Sequence, residues 1–181
     1  MTRRHALTAL ERGLGLRTEL TIRRARPVDA PALAQVQVDS WRETYAKLIP
    51  APYLEGLSYT AHERQWRRTL ERGGSAFLAV WGKQIVGLAS GGACRSFSGF
   101  SGELHVLYVL RQFQRCGIGR ALLDAIHYEL ARSGHGDMLI WVLAENPARG
   151  FYEKLGGRLV GEATCVVGGA HLHEVAYAWN G

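Results

Sequence analysis

Gly117 and Gly119 are separated by one residue in the run Gln114-Arg115-Cys116-Gly117-Ile118-Gly119-Arg120. Before it lies a strand-like stretch, Leu104 to Leu110. After it, apolar residues recur at Ile118, Leu122, Ala125, Ile126 and Leu130. That three- and four-residue spacing predicts an amphipathic helix. A strand, a glycine-bearing turn and a helix N-terminus together can hold a phosphate. The N–H groups of a first helical turn are unpaired and partly positive, and glycine lets a ligand approach the backbone. Arg115 and Arg120 add full charges. Cys116 stands beside Arg115 at the helix start. Taken alone, the pattern also suits a helix with a glycine-rich entry and no ligand.

A second stretch narrows the choice. Gln114 to Gly119 fits Q/R-x-x-G-x-G/A. The run LYVLRQFQRCGIGRALL, from Leu107, and the run ENPARGFYEKLGG at 145–157 resemble, in order and near spacing, two motifs of the GNAT superfamily of N-acetyltransferases. The resemblance covers about residues 20–180. It implies acetyl coenzyme A as donor and a primary amine as acceptor, joined by direct attack in a ternary complex without a metal. It also implies that the donor contacts Leu107, Tyr108, Val109, Gln114, Arg115, Cys116, Gly117, Ile118, Gly119, Arg120, Asn146 and Tyr152. A non-catalytic acyl-coenzyme A sensor on the same fold is the alternative reading; the presence of both Tyr152 and Glu103 speaks for the enzyme.

The transfer has definite needs. The ammonium must lose a proton, the thioester oxygen needs a donor, and the departing thiolate needs a proton or a hydrogen bond. The resemblance gives the last role to Tyr152, a phenol protonated at neutral pH. It gives the base to Glu103, eleven residues before Gln114. His105, two residues on and on the same strand face in the absence of a bulge, is a second base. The resemblance also implies a bulge that turns a backbone N–H near Leu107 to Val109 toward the thioester. Asn146 either bonds the pantetheine arm or caps the helix that carries Tyr152. Trp41 and Tyr45, one turn apart, would wall the acceptor site, an aromatic lining suited to an apolar or cationic amine; packing in the core is the other reading for both. The chain departs from the commoner pattern at three points. Arg111 replaces a frequent proline, Arg115 replaces a frequent glycine, and Asn146 to Tyr152 is one residue shorter.

These side chains must be carried by the elements around them. Leu20 to Arg26 reads as a first strand. A helix with Asp29 as cap and Pro31 in its first turn runs to about Ala46. Pro50 and Pro52 then break the chain, and a second helix spans about 58–72, with Trp66 and Leu70 as core. Phe77 to Trp81 and Gln84 to Ser90 form a hairpin around Gly82-Lys83. A loose Gly- and Ser-rich segment, 91–102, leads into the central strand. Beyond the central helix come a strand at 137–143, a short helix at 147–155, and two strands, 158–167 and 171–179, joined at Gly168-Gly169-Ala170. The pattern alone gives one mixed α/β or α+β domain. The resemblance makes it a mostly antiparallel sheet of about seven strands, splayed at its centre, with helices on both faces.

At 181 residues the chain suits one domain, with 47% hydrophobic and 21% charged residues. No apolar run reaches the 18 residues of a membrane span. Three cysteines (94, 116, 165) without CxxC spacing suit a reducing cytoplasm, the expected location. Of the net charge of +6, the first 26 residues supply +5 through seven arginines against Glu11 and Glu19. Residues 1–19 are expected to be a disordered basic leader, with 20–181 as the domain. The near-neutral remainder argues against a nucleic-acid binder. A dinucleotide oxidoreductase would need a third glycine where Leu122 stands. His171 and His173, on one strand face, can share an ion, but no third ligand has metal spacing, and with Glu174 they read as solvated strand residues. A homodimer through the last strands is the quaternary expectation from the resemblance.

Overall fold

The computed structural model describes residues 19–180, so the expected leader lies almost wholly outside the described residues. Seven strands form one sheet: β1 (Leu20–Arg24), β2 (Ser75–Trp81), β3 (Gln84–Ala93), β4 (Gly102–Val109), β5 (Asp137–Leu143), β6 (Arg158–Val167) and β7 (Ala170–Asn180). Their order is β1-β2-β3-β4-β5-β7-β6. Every neighbouring pair is antiparallel except β4 with β5. That parallel pairing is confined to Glu103 opposite Leu139. Beyond it the two strands diverge, and a gap opens in the middle of the sheet. Here the expected central splay is observed.

Helices cover both faces: α1 (Ala30–Thr44), α2 (Ala51–Glu55), α3 (Tyr59–Glu71), α4 (Ile118–Arg132) and α5 (Arg149–Lys154). On one face α4 buries Ile118, Leu122, Leu123, Ile126 and Leu130 against Leu104, Met138, Ile140 and Tyr177, and α5 adds Tyr152. On the other face α1 and α3 bury Leu33, Val36, Trp66 and Leu70 against Leu78 and Leu88. Trp66 and Leu70 are core, as expected. Ser58 caps α3, its Oγ accepting from the Ala61 N–H at 3.3 Å.

Three sequence expectations are corrected. The loose segment begins later, because β3 runs through Gly91 and Gly92 to Ala93. A Cβ at Gly91 would lie 2.8 Å from the Glu103 carbonyl oxygen, so the close approach of β4 requires glycine there. The pair Pro50 and Pro52 does not merely break the chain. Pro52 lies in the first turn of α2, where its missing N–H costs nothing.

The third correction concerns Asp29, which precedes α1 but makes no side-chain cap bond to it. Its carboxylate takes two bonds from the Arg23 guanidinium, at 2.8 and 2.7 Å, and one from the Arg26 N–H at 2.8 Å. Arg23 thereby holds the buried Asp29 below the usual carboxylate range. A depressed carboxyl stabilises the fold above its unfolded pKa near 4 and loses that contribution as pH falls through the folded value. Asp29→Asn is therefore expected to cost about 1–3 kcal/mol at pH 7. The gap from the parent should shrink below pH 4 in urea melts at stepped pH. A gap independent of pH would refute the ion pair as its cause.

Candidate active site

The gap between β4 and β5 is where the two faces of the sheet meet. Tyr152 approaches from the α4 and α5 side, 5% exposed, stacked on Tyr177 at 6.3 Å and edge-on to Trp179 at 6.2 Å. From the other side come Trp41 of α1 and Tyr45 just past its end, in edge contact at 5.3 Å, and Tyr108 of β4. The Trp41 indole Nε1–H donates to the Tyr108 hydroxyl at 2.7 Å. Burial pushes all three phenols, Tyr45, Tyr108 and Tyr152, above the ordinary tyrosine value. Their mutual repulsion adds to this for Tyr108 and Tyr152. All three hydroxyls therefore keep their protons across the physiological range. Trp41 and Tyr45, with core packing as their other reading, thus reach the gap.

Asn146 joins this group from the end of β5. It is 6% exposed, its Oδ1 accepts from the Ala148 N–H at 2.9 Å, and its Nδ2 approaches the Tyr45 hydroxyl at 3.5 Å. Both ends of the amide face protein groups that fix the entry into α5 and hence the position of Tyr152.

Tyr108 is redirected. Leu110 N–H bonds the Val86 carbonyl on β3, and the Val109 carbonyl takes the Gln114 Nε2–H at 3.0 Å. Peptide groups of an antiparallel strand alternate in direction. Leu107 and Val109 therefore turn their N–H groups to the gap, whereas the Tyr108 backbone faces β3. Tyr108 reaches the site through its hydroxyl instead of its amide. A bulge does lie in β4, earlier than expected. Ser90 stands opposite Val106 and Gly91 opposite Leu104, which leaves His105 as the extra residue.

The turn after β4 has the form expected of an anion cradle. Gly117 is left-handed at φ 82°, and Arg115, at φ 62°, is the one non-glycine with positive φ among the described residues. A side chain in that region carries a cost of about 1–2 kcal/mol. Among the described residues no backbone acceptor pairs with the N–H groups of Arg115 to Arg120; the first such bond is Ala121 N–H to Gly117. Ile118 anchors the turn in the core at 1% exposure, while Cys116 lies exposed. Gly119 has a packing reason as well: a Cβ there would lie 3.2 Å from the Phe151 ring of α5. Arg120 is exposed and ion-paired to Asp124 at 3.7 Å.

Glu103 and His105 lie toward the closed end of the gap. The Glu103 carboxylate is half-buried and accepts from the Arg95 N–H at 3.0 Å and the Ser96 hydroxyl at 2.9 Å. The His105 ring packs over Gly92 at 3.2 Å from a notional Cβ. Its Nε2 is buried without a partner among the described residues. Burial lowers the His105 pKa, against the opposing pull of Glu103, so the ring is neutral at pH 7. Glu103 lies about 13 Å along the strand from Leu107. Although His105 is the bulged residue, its ring packs over Gly92, the partner of Glu103, so the two base residues share one sheet face.

Three neighbours of these residues are not singled out by the sequence: Tyr53, which packs on Trp41 at 6.2 Å, the segment 95–97, which bonds Glu103, and the Tyr108 hydroxyl, which accepts from Trp41; only Tyr53 has a signal, the helix start at Pro52. Among the described residues no group of three His, Cys, Asp or Glu side chains could hold a metal ion. No helix there is long and apolar enough to cross a membrane. His173 pairs with Glu162 at 3.2 Å on the surface.

Residues 35–175 match the acetyltransferase (GNAT) domain family. The uncharacterized N-acetyltransferase YuaI of Bacillus subtilis is 38% identical over 162 residues, 88% of this chain and 92% of the relative. A ribosomal-protein-alanine N-acetyltransferase from Brucella melitensis superposes with a TM-score of 0.70 at 25% identity, over 88% of this chain and 99% of that one. The PaiA N-acetyltransferase of Thermoplasma acidophilum, solved in complex with coenzyme A, shares the fold with a TM-score of 0.69 at 20% identity, over 86% and 98% of the two chains.

Proposed function

The chain belongs to the GNAT acetyltransferase family, and from that premise we propose that it moves an acetyl group from acetyl-CoA to a primary amine by direct attack in a ternary complex. One observation carries the reading. The unpaired N–H run at 115–120 and the side chain of the buried Tyr152 flank the same gap, opened where β4 and β5 stop pairing. A structural relative with coenzyme A bound supports the donor class.

In this reading Arg115 to Arg120 hold the pyrophosphate with backbone N–H groups, and the Arg115 and Arg120 side chains add charge. The gap-facing N–H groups of Leu107 and Val109 donate to the thioester oxygen as negative charge grows on it. The attacking nitrogen forms the C–N bond, the C–S bond breaks, and Tyr152 donates a hydrogen bond to the departing sulfur, which leaves as the thiolate. Glu103 receives the amine proton. Its distance from Leu107 calls for a water bridge, and neutral His105 stands between the two as a second acceptor. Cys94, Cys116 and Cys165, all free, support a reducing compartment such as the cytoplasm.

Calorimetric titration with acetyl-CoA, followed by thiol release in the presence of primary amines, tests the proposal. Micromolar or tighter binding and amine-dependent release are expected. Absence of binding would sink it.

A further inference from the structure

Two straps cross the face of the sheet from which the acceptor must come, opposite α4 and α5. The first joins α2 to the tip of the β6–β7 hairpin. A Cβ at Gly168 would lie 2.7 Å from the Tyr53 Cβ, so the hairpin tip rests directly on α2. Tyr53 in turn packs on Trp41 at 6.2 Å. Arg42 fixes α2 in that place: its guanidinium donates to the carbonyls of Leu54 at 3.1 Å, Glu55 at 3.3 Å and Leu57 at 3.0 Å. Those carbonyls lie at and just beyond the end of α2, where helical acceptors go unpaired, and the charge-assisted bonds make the strap a fixed wall.

The second strap is the segment between β3 and β4. Phe97 packs on Trp141 and on Phe100, each at 5.8 Å, and lies 2.7 Å from a notional Cβ at Gly161. The Trp141 indole Nε1–H donates to Ser96 Oγ at 2.9 Å, and that hydroxyl donates to Glu103. The floor between the straps follows from the registers. Leu139, Trp141 and Leu143 share a face with Ala176 and Glu174 on β7. Glu103, opposite Leu139, lies on that face at one end. Glu174, opposite Leu143, lies at the other, half-buried.

We propose that the acceptor is a small free amine with an apolar body, bound between these straps, and not the N-terminus or a lysine of a polypeptide. This rests on the acetyltransferase reading above. A polypeptide acceptor has to extend its chain on both sides of the reacting nitrogen or lay it across the entrance. Here the Tyr53–Gly168 contact closes one end and the Phe97–Trp141 contact the other. The aromatic walls favour apolar mass, and Glu103 and Glu174 favour the ammonium that carries the nitrogen in.

The test compares thiol release from acetyl-CoA with 2-phenylethylamine, 1-aminohexane and 1,5-diaminopentane against a hexapeptide with a free N-terminus and one lysine. At least one small amine should react ten or more times faster than the peptide at equal concentration. Tyr53→Ala, which removes an exposed ring from the first strap, should raise the KM for that amine several-fold and narrow the ratio. The acetyl-CoA Kd should stay within about twofold. Phe97→Ala should do the same from the other end. Peptide transfer at or above the small-amine rates overturns the proposal. So does transfer to none of the three amines while acetyl-CoA still binds, or a ratio unmoved by both variants. Failure to bind acetyl-CoA would strike the acetyltransferase reading itself.

Discussion

Tyr152→Phe is expected to lower turnover by about 10²–10³-fold while acetyl-CoA affinity stays within about twofold. The ring contacts that hold this residue, the stack on Tyr177 and the edges toward Trp179 and Phe151, survive the change. Deleting the hydroxyl also leaves the neighbouring pair of Trp41 and Tyr108 intact. The loss therefore falls on the reacting atoms rather than on the fold. Burial makes Tyr152 a weaker acid than an ordinary phenol, and a phenol is already a weaker acid than a thiol of pKa about 8.5. Complete transfer to a thiolate would run uphill. The hydroxyl acts chiefly by donating a hydrogen bond to sulfur as the C–S bond lengthens. The pH profile follows. Since the folded pKa is raised, Tyr152 remains protonated through the assay range and contributes no alkaline fall below about pH 10. Steady-state rates and a cofactor titration on the same preparation check both halves. Turnover within threefold of the parent would remove Tyr152 from the chemistry.

The form of the turn at 115–119 was legible because it restricts the backbone itself: glycine at 117 and an apolar anchor at 118 leave a local trace. The strands at 137–143 and 158–167 leave a trace as well: the first is apolar and mostly buried, and the second alternates half-buried with exposed residues from Gly161 onward. Other features left no such trace. The bulge at His105 turns on pairing with β3, and HVLYV has the same pattern with or without it. Tyr108 became a side-chain member of the site only through Trp41, far away in sequence. Asp29 was read as a cap because a local rule fits it, yet a carboxylate takes the strongest donor in reach, and Arg23 comes from a neighbouring strand. Likewise, Gly168 was legible as a turn and not as a wall, because the wall needs Tyr53 from α2. Local backbone demands reach the reader of a sequence; partner choice across the sheet does not.

The turn at 115–119 yields the second large effect, since Gly117 is one of its two left-handed residues and the one without a side chain. Gly117 holds φ 82° with open space around a notional Cβ, so a substitution there meets conformational strain and no clash. Alanine carries a moderate penalty in the left-handed region, and a β-branched residue a larger one, of about 1–3 kcal/mol. Ile118 is locked in the core, so the turn relaxes by rotating the peptides at 115–117 away from the ligand. Gly117→Val should accordingly weaken acetyl-CoA binding by about 10–100-fold, the equivalent of that strain at 1.4 kcal/mol per tenfold. Gly117→Ala should fall between Val and the parent. Stability should drop by less than the binding energy, because the strained turn is free to open when no anion holds it. Dephospho-coenzyme A provides the control, since it lacks the 3′-phosphate and keeps the pyrophosphate. The ratio of parent to variant affinity should be the same for both ligands when the turn grips the pyrophosphate. A ratio that collapses with the dephospho ligand would instead assign the N–H groups of residues 115–120 to the 3′-phosphate, and the cofactor would have to lie across α4 in the opposite direction.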